Sequence, residues 1–232
     1  KGEDRYYHLV LLAENNVGYA NLMKIVSKGF VDGYYYRPRV DMEVLETYHE
    51  GIIALSACLA GEIPNRILKE DFDGARAAAR KMRDIFGENN FFLELQDHGI
   101  REQTQVNTSL IRLSKELGIP MVVTNDVHYI REEDAIPHDL LLCIQTGKKV
   151  SDKDRMRYEG GQYYLKSEEE MQKVFPYARE AMDNTHKVAE RCNVEIVFGE
   201  QKVPKFDVPE GYDAFSYLKE LCETGLVKRY GA

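Results

Sequence analysis

The sequence predicts an α/β protein: a parallel sheet with helices packed outside it, either doubly wound or closed into a barrel. Three observations carry that expectation. Short, almost continuous apolar runs recur, as strands buried on both faces require. Between them lie segments whose apolar residues repeat at helical spacing. Strand and helix also alternate four times over, which is the order of βα units.

The elements follow in order. Residues 6–12, Tyr-Tyr-His-Leu-Val-Leu-Leu, are a nearly unbroken apolar run, expected as a buried parallel strand. Over residues 17–30, Leu22, Ile25, Val26 and Phe30 recur at helical spacing. Residues 51–56 read as the second strand, and 73–86 as an Ala- and Arg-rich helix closed by Gly87. Residues 91–95 read as the third strand. The amphipathic stretch 103–117 stops at Gly118-Ile119-Pro120 and runs into a fourth strand, 121–124, which delivers the chain to Asn125-Asp126-Val127-His128. A helix through Asp139 and Ile144 follows. After the Gly160-Gly161 turn, Ser167 to Glu170 fits a capping box that opens a further helix.

From 203 to 211 the texture changes. Pro204 and Pro209 flank Phe206-Asp207 in a linker-like passage, and 213–230 reads as one amphipathic helix. This places a boundary near residue 200, with one domain over 1–200 and a linker and helix over 201–232.

Composition narrows the functional classes. The 232 residues are 44% hydrophobic and 30% charged, with a net charge of -8, so no basic surface suited to gripping a phosphate backbone declares itself. The four cysteines are far apart and form no C-x-x-C pair, which argues for reduced cytosolic thiols rather than a zinc ribbon or disulfide framework. No apolar run approaches the ~20 residues of a membrane span, and no signal peptide is evident. The chain opens on Lys1-Gly2-Glu3-Asp4-Arg5 without an initiator Met, which reads as a piece of a longer protein in the cytoplasm.

The strongest local chemical signal is Asp126-Val127-His128. In extended chain, residues i and i+2 face the same way, so a carboxylate and an imidazole would project together after the fourth strand, a pair acceptable to zinc, manganese or iron. His8, within an apolar strand, is either a hydrogen-bonded core residue or a ligand. Cys58 is either a small packing thiol or a ligand. Glu94 alternates with Phe92 and Gln96 on one strand face, and a carboxylate there needs a salt-bridge partner or a metal. His49 and His186 read as surface residues, whereas His98 and His138 could border a site. The run Tyr34-Tyr35-Tyr36 before Arg37-Pro38-Arg39 could stack bases or contact a neighbouring domain.

Several strings together resemble one family. They include His8-Leu9-Val10-Leu11-Leu12-Ala13-Glu14-Asn15-Asn16, then Ala54-Leu55-Ser56-Ala57-Cys58-Leu59-Ala60-Gly61-Glu62 and Leu93-Glu94-Leu95-Gln96-Asp97-His98-Gly99. Further on stand Thr124-Asn125-Asp126-Val127-His128-Tyr129 and His138-Asp139-Leu140-Leu141-Leu142-Cys143-Ile144-Gln145-Thr146-Gly147-Lys148. In this order they are similar to the α subunits of bacterial DNA polymerase III, the C-family replicative polymerases, in their PHP (polymerase and histidinol phosphatase) domain.

The resemblance implies a distorted (βα)7 barrel with metals at one mouth. It is expected here as an incomplete barrel lacking its first βα units, with a C-terminal helical extension toward the polymerase palm. The family's ligands fall on His8, Cys58, Asp126 and His128, and Asp126 would also position the attacking hydroxide. Some members lose the His of the Asp-x-His pair; this chain keeps it. The family's His-x-His and Thr-Asp-His segments would precede residue 1, and the palm with its magnesium site would follow residue 232. The resemblance therefore implies a 3′–5′ exonuclease and DNA-directed DNA synthesis in the parent but an inactive fragment. DNA, the sliding clamp, the proofreading subunit and other replisome subunits are the implied partners, and no membrane. The alternative expectation is a structural and partner-docking module with a non-catalytic metal site. A free-standing histidinol-phosphate phosphatase fits the strings poorly.

Overall fold

The computed structural model describes residues 6–200 and 203–231. These form two compact units, one running to Glu195 and one starting at Ile196. The expectation over Lys1–Arg5 lies outside the described residues.

In the first unit, a four-stranded sheet has the order β1 (Val10–Ala13), β2 (Ile52–Leu55), β3 (Phe91–Leu95) and β4 (Met121–Val123). Its helices are α1 (Asn16–Val31), α2 (Met42–Thr47), α3 (Glu62–Leu68), α4 (Phe72–Phe86), α5 (Arg101–Leu117), α6 (Ala135–Thr146), α7 (Glu168–Val174) and α8 (Arg179–Arg191). Mixed α/β structure was expected, and strands β2, β3 and β4 do pair in parallel. β1 does not. It runs antiparallel to β2, with Val10 opposite Leu55 and Ala13 opposite Ile52. A single helix between two strands carries the chain back to its starting end and makes the strands parallel. Here the connection runs through α1, α2 and the extended stretch between them, and it starts β2 beside the end of β1. The apolar run of residues 6–12 gave no sign of strand direction, because edge and central strands share the same residues.

Local chemistry explains most of the boundaries. Asn15 caps α1, its side chain accepting from Val17 and Gly18 N–H. Asp41 caps α2 and Asp71 caps α4 in the same way. Gly118, in left-handed backbone, closes α5 before β4 begins. The capping box expected at Ser167 is formed, Ser167 and Glu170 each satisfying the other's backbone N–H.

The core lies between the sheet and helices α3, α4 and α5, with Ile52, Ile67, Phe91, Leu93, Leu95 and Leu110 at 2% exposure or less. Each such side chain contributes about 1.5–3 kcal/mol on burial. A smaller apolar cluster on the opposite face, Ile53, Leu55, Phe92 and Val122, packs under Val188 of α8. That helix also closes an edge. The Thr185 hydroxyl donates to Val123 C=O (2.8 Å) and accepts from Val123 N–H (3.2 Å), and Asn184 donates to Met121 C=O (3.0 Å). The outer backbone groups of β4 are thus paired by side chains instead of being left open for another strand.

The second unit contains a linker and helix α9 (Ala214–Tyr230), capped by Asp213. Phe215, Leu218 and Leu226 of this helix are exposed.

Helix α1 sits very close to the turn before β2. A β-carbon on Gly18 would lie 1.7 Å from the carbonyl oxygen of Gly51. Gly18→Ala is therefore expected to destabilise the fold by about 3 kcal/mol, read as a lowered midpoint in urea denaturation.

Candidate metal centre

The antiparallel entry of β1 determines which residues meet. At one end of the sheet stand the last residues of β2, β3 and β4, and beside them stands the beginning of β1. His8 precedes β1 by two residues, and its backbone N–H donates to Ala60 C=O (3.0 Å) in an isolated bridge to Gly61. It is exposed, neither within the strand nor in the core. The loop after β2 folds tightly enough to receive it. Gly61 N–H donates to Cys58 C=O (2.8 Å), and a side chain on Gly61 would collide with the Ser56 carbonyl at 2.1 Å.

This arrangement sets His8 Nδ1 3.7 Å from Cys58 Sγ. Two ligands of one tetrahedral zinc ion, with bonds of about 2.3 Å to sulfur and 2.0–2.1 Å to nitrogen, lie about 3.6 Å apart. The pair already has the spacing of two ligands of a single ion. Burial pushes the Cys58 thiol above its ordinary pKa, and the carboxylates of Asp126 and Glu94 add to the effect. A cation would reverse that balance, since a thiolate and two carboxylates all favour positive charge.

Asp126 shares with His8 and Cys58 the lining of a cavity of about 1000 Å³, whose remaining rim includes Glu94, Gln96 and Thr124. The extended Asp-x-His geometry is not formed. β4 ends at Val123, and Asp126 has φ +45°, in the left-handed region, so residues 126 and 128 do not project together from a strand. His128 lies outside the cavity lining. Its ring packs 4.2 Å from that of Tyr158 and 5.9 Å from that of His138, between centroids. Its Nδ1 is 2.8 Å from the Asp126 carbonyl. A carbonyl only accepts, so Nδ1 carries the proton and Nε2 keeps a free lone pair, the form in which imidazole binds a cation. Among the described residues, no group of three or more His, Cys, Asp or Glu side chains stands close enough to hold an ion. The donor chemistry suits a divalent ion at His8 and Cys58, with Asp126 at the same cavity.

Two features of this rim were only partly visible in the sequence. Glu94 is 5% exposed and has hydrogen-bond donors instead of a salt bridge: Ala57 N–H at 3.0 Å, Gln96 Nε2 at 2.9 Å and the Thr124 hydroxyl. Burial raises its pKa and these donors oppose the rise. Its alternation with Phe92 and Gln96 was the signal, but the identity of the donors depends on β2 and β4. His98 is 3% exposed and stacked on Tyr163, with ring centroids 3.8 Å apart. Its Nδ1 accepts from Gln103 Nε2 (2.7 Å), and its Nε2 donates to Asn125 C=O (2.8 Å), which fixes the residue before Asp126.

A family profile described as the PHP domain matches residues 1–98. The chain is 45% identical to a DNA polymerase III subunit alpha of Treponema pallidum, over 97% of this chain and 19% of the relative. It is 43% identical to that of Borreliella burgdorferi over 97% of the chain and 20% of the relative. For Deinococcus radiodurans the identity is 42%, over the whole chain and 18% of the relative. The chain thus spans about one fifth of the length of these curated relatives.

Burial holds the pKa of His98 below its ordinary value. The unfolded chain takes up this proton near about pH 6.5, whereas the folded chain does so only at lower pH. Stability is therefore complete above that range and falls as pH drops through it. The urea midpoint is expected to decline from about pH 7 to about pH 5, and His98→Gln, though less stable at neutral pH, should show a shallower decline.

Proposed function

We propose that the chain, similar over nearly its whole length to DNA polymerase III α subunits, forms most of the PHP domain of a replicative DNA polymerase. On this reading residues 1–200 are part of a (βα)7 barrel, and residues 201–232 lead toward the polymerase palm. The parent synthesises DNA with magnesium at a site outside this chain, works in the cytoplasm, and meets the sliding clamp, a proofreading subunit and other replisome subunits. Among the described residues, no helix is long and apolar enough to cross a membrane.

The PHP domain is proposed to hydrolyse the phosphodiester at a DNA 3′ end. The observation that carries this is the 3.7 Å approach of His8 Nδ1 and Cys58 Sγ at a cavity that Asp126 also lines. His8, Cys58, Asp126 and His128 would hold divalent ions: zinc, manganese or iron. Such ions supply Lewis acidity toward phosphoryl oxygens and make a water more acidic. Asp126 would accept a hydrogen bond from the attacking water and aim it at phosphorus. His128, with Nδ1–H fixed on the Asp126 carbonyl, would present Nε2. The neutral His98 would hold Asn125, and with it the approach of Asp126.

A second reading has its own observation. Ile136, Leu141 and Ile144 of α6 are 74%, 61% and 76% exposed, an apolar surface suited to bracing another domain. A PHP domain that docks partners, with a metal site that only stabilises, would use it.

In the full-length protein, Asp126→Asn is expected to lower 3′ trimming of single-stranded DNA by about a hundredfold or more while sparing polymerisation. The assay excludes any separate proofreading subunit. Unchanged trimming, or a full-length protein with no stoichiometric transition metal, would favour the docking reading.

A further inference from the structure

Glu94 stands on β3, between the strands that lead to Cys58 and to Asp126. One carboxylate oxygen, Oε2, accepts from Ala57 N–H (3.0 Å), the residue directly before Cys58. The other, Oε1, accepts from the Thr124 hydroxyl, two residues before Asp126, and from Gln96 Nε2 (2.9 Å). The Ser56 hydroxyl accepts from Glu94 N–H (2.8 Å), fastening the same loop a second time. Ala57 (φ +63°) and Asp126 (φ +45°) are two of the four non-glycine residues with left-handed backbone among the described residues. Backbone of that kind persists only where its surroundings over-determine it. Beside Ala57 and two residues before Asp126, that surrounding includes one buried carboxylate with an oxygen on each loop.

We infer that Glu94 is a positioning residue of the metal centre: it ties the Cys58 loop to the Asp126 loop and fixes their separation across the cavity. The inference rests on the reading of His8, Cys58 and Asp126 as ligands. It also specifies why a carboxylate stands there: two oxygens with four lone-pair sites can take three donors from two directions at once. An amide can do nearly the same. With Gln at this position, the carbonyl oxygen still accepts from Ala57 and the NH2 donates to the Thr124 hydroxyl, while a half-turn of the Gln96 side-chain amide brings its unpartnered Oε1, in place of Nε2, toward the new NH2. The tether therefore depends on hydrogen bonds, not on charge.

The test is anaerobic titration of the full chain with Co²⁺, read by the thiolate-to-cobalt charge-transfer absorption. Circular dichroism and melting in chelator report folding separately. Glu94→Ala is expected to bind cobalt about 10–100-fold more weakly and to lose most of the absorption. Glu94→Gln should stay within about threefold of the unaltered chain. An absorption that depends on Cys58 but is unchanged in Glu94→Ala overturns the inference and leaves the ligand reading standing. Equal losses in Glu94→Gln and Glu94→Ala also overturn it, since charge would then be what matters. Cobalt binding that is identical in Cys58→Ser and the unaltered chain overturns the ligand reading and the inference together. Should Glu94→Ala fail to fold, Thr124→Val removes one side of the tether and is expected to weaken cobalt about tenfold; no change would overturn the inference.

Discussion

The antiparallel pairing of β1 with β2 is the constraint on which the candidate site depends. Had β1 run parallel to its neighbour, its start would lie at the far end of the sheet, a strand's length from the loop that carries Cys58. Because it is reversed, with Val10 opposite Leu55, the residues just before it arrive where β2, β3 and β4 end. The backbone bond from His8 to Ala60 then fixes the imidazole over the loop. Fifty residues of sequence separation become one contact through a single choice of strand direction.

The opposite end of the sheet is fastened by one guanidinium. Arg191, at the end of α8, pairs with Glu14 just after β1 (2.9 Å), donates to the Asn89 carbonyl (2.7 Å) and reaches the Asn90 side chain. Asn193 N–H adds a bond to Glu14 C=O at 2.9 Å. Long planar donors suit this task, since one side chain can satisfy three acceptors from two segments. With that end tied and the β4 edge covered by Asn184 and Thr185, the other end can bear strained loops and buried polar groups. Rigid elements below and special backbone above is the arrangement expected of a scaffold that carries a site.

The electrostatics of the rim follow the same division. The rim gathers acids and a thiol: Glu94 is held in place by donors, Cys58 stays protonated through burial, and Asp126 lines the same space. Two histidines near it, His98 and His138, have their pKa lowered by burial. A net negative chain with such a rim suits cations, not bare phosphate.

Much of this protein was legible in its sequence. Helix periodicity, the capping box at Ser167, the apolar runs at 52–55 and 91–95 and the stop at Gly118-Ile119-Pro120 are local signals, written in neighbouring residues. The resemblance to the polymerase subunits rested on an ordered series of strings, which survives where single residues are ambiguous. Short α2 and α3 were missed: six and seven residues give too few turns to show a period. The direction of β1, the left-handed bend that parts Asp126 from His128, and the donors around Glu94 were decided only by tertiary structure. Each depends on which segments lie side by side, and pairing across 30 to 50 residues leaves no periodic trace in the chain that forms it.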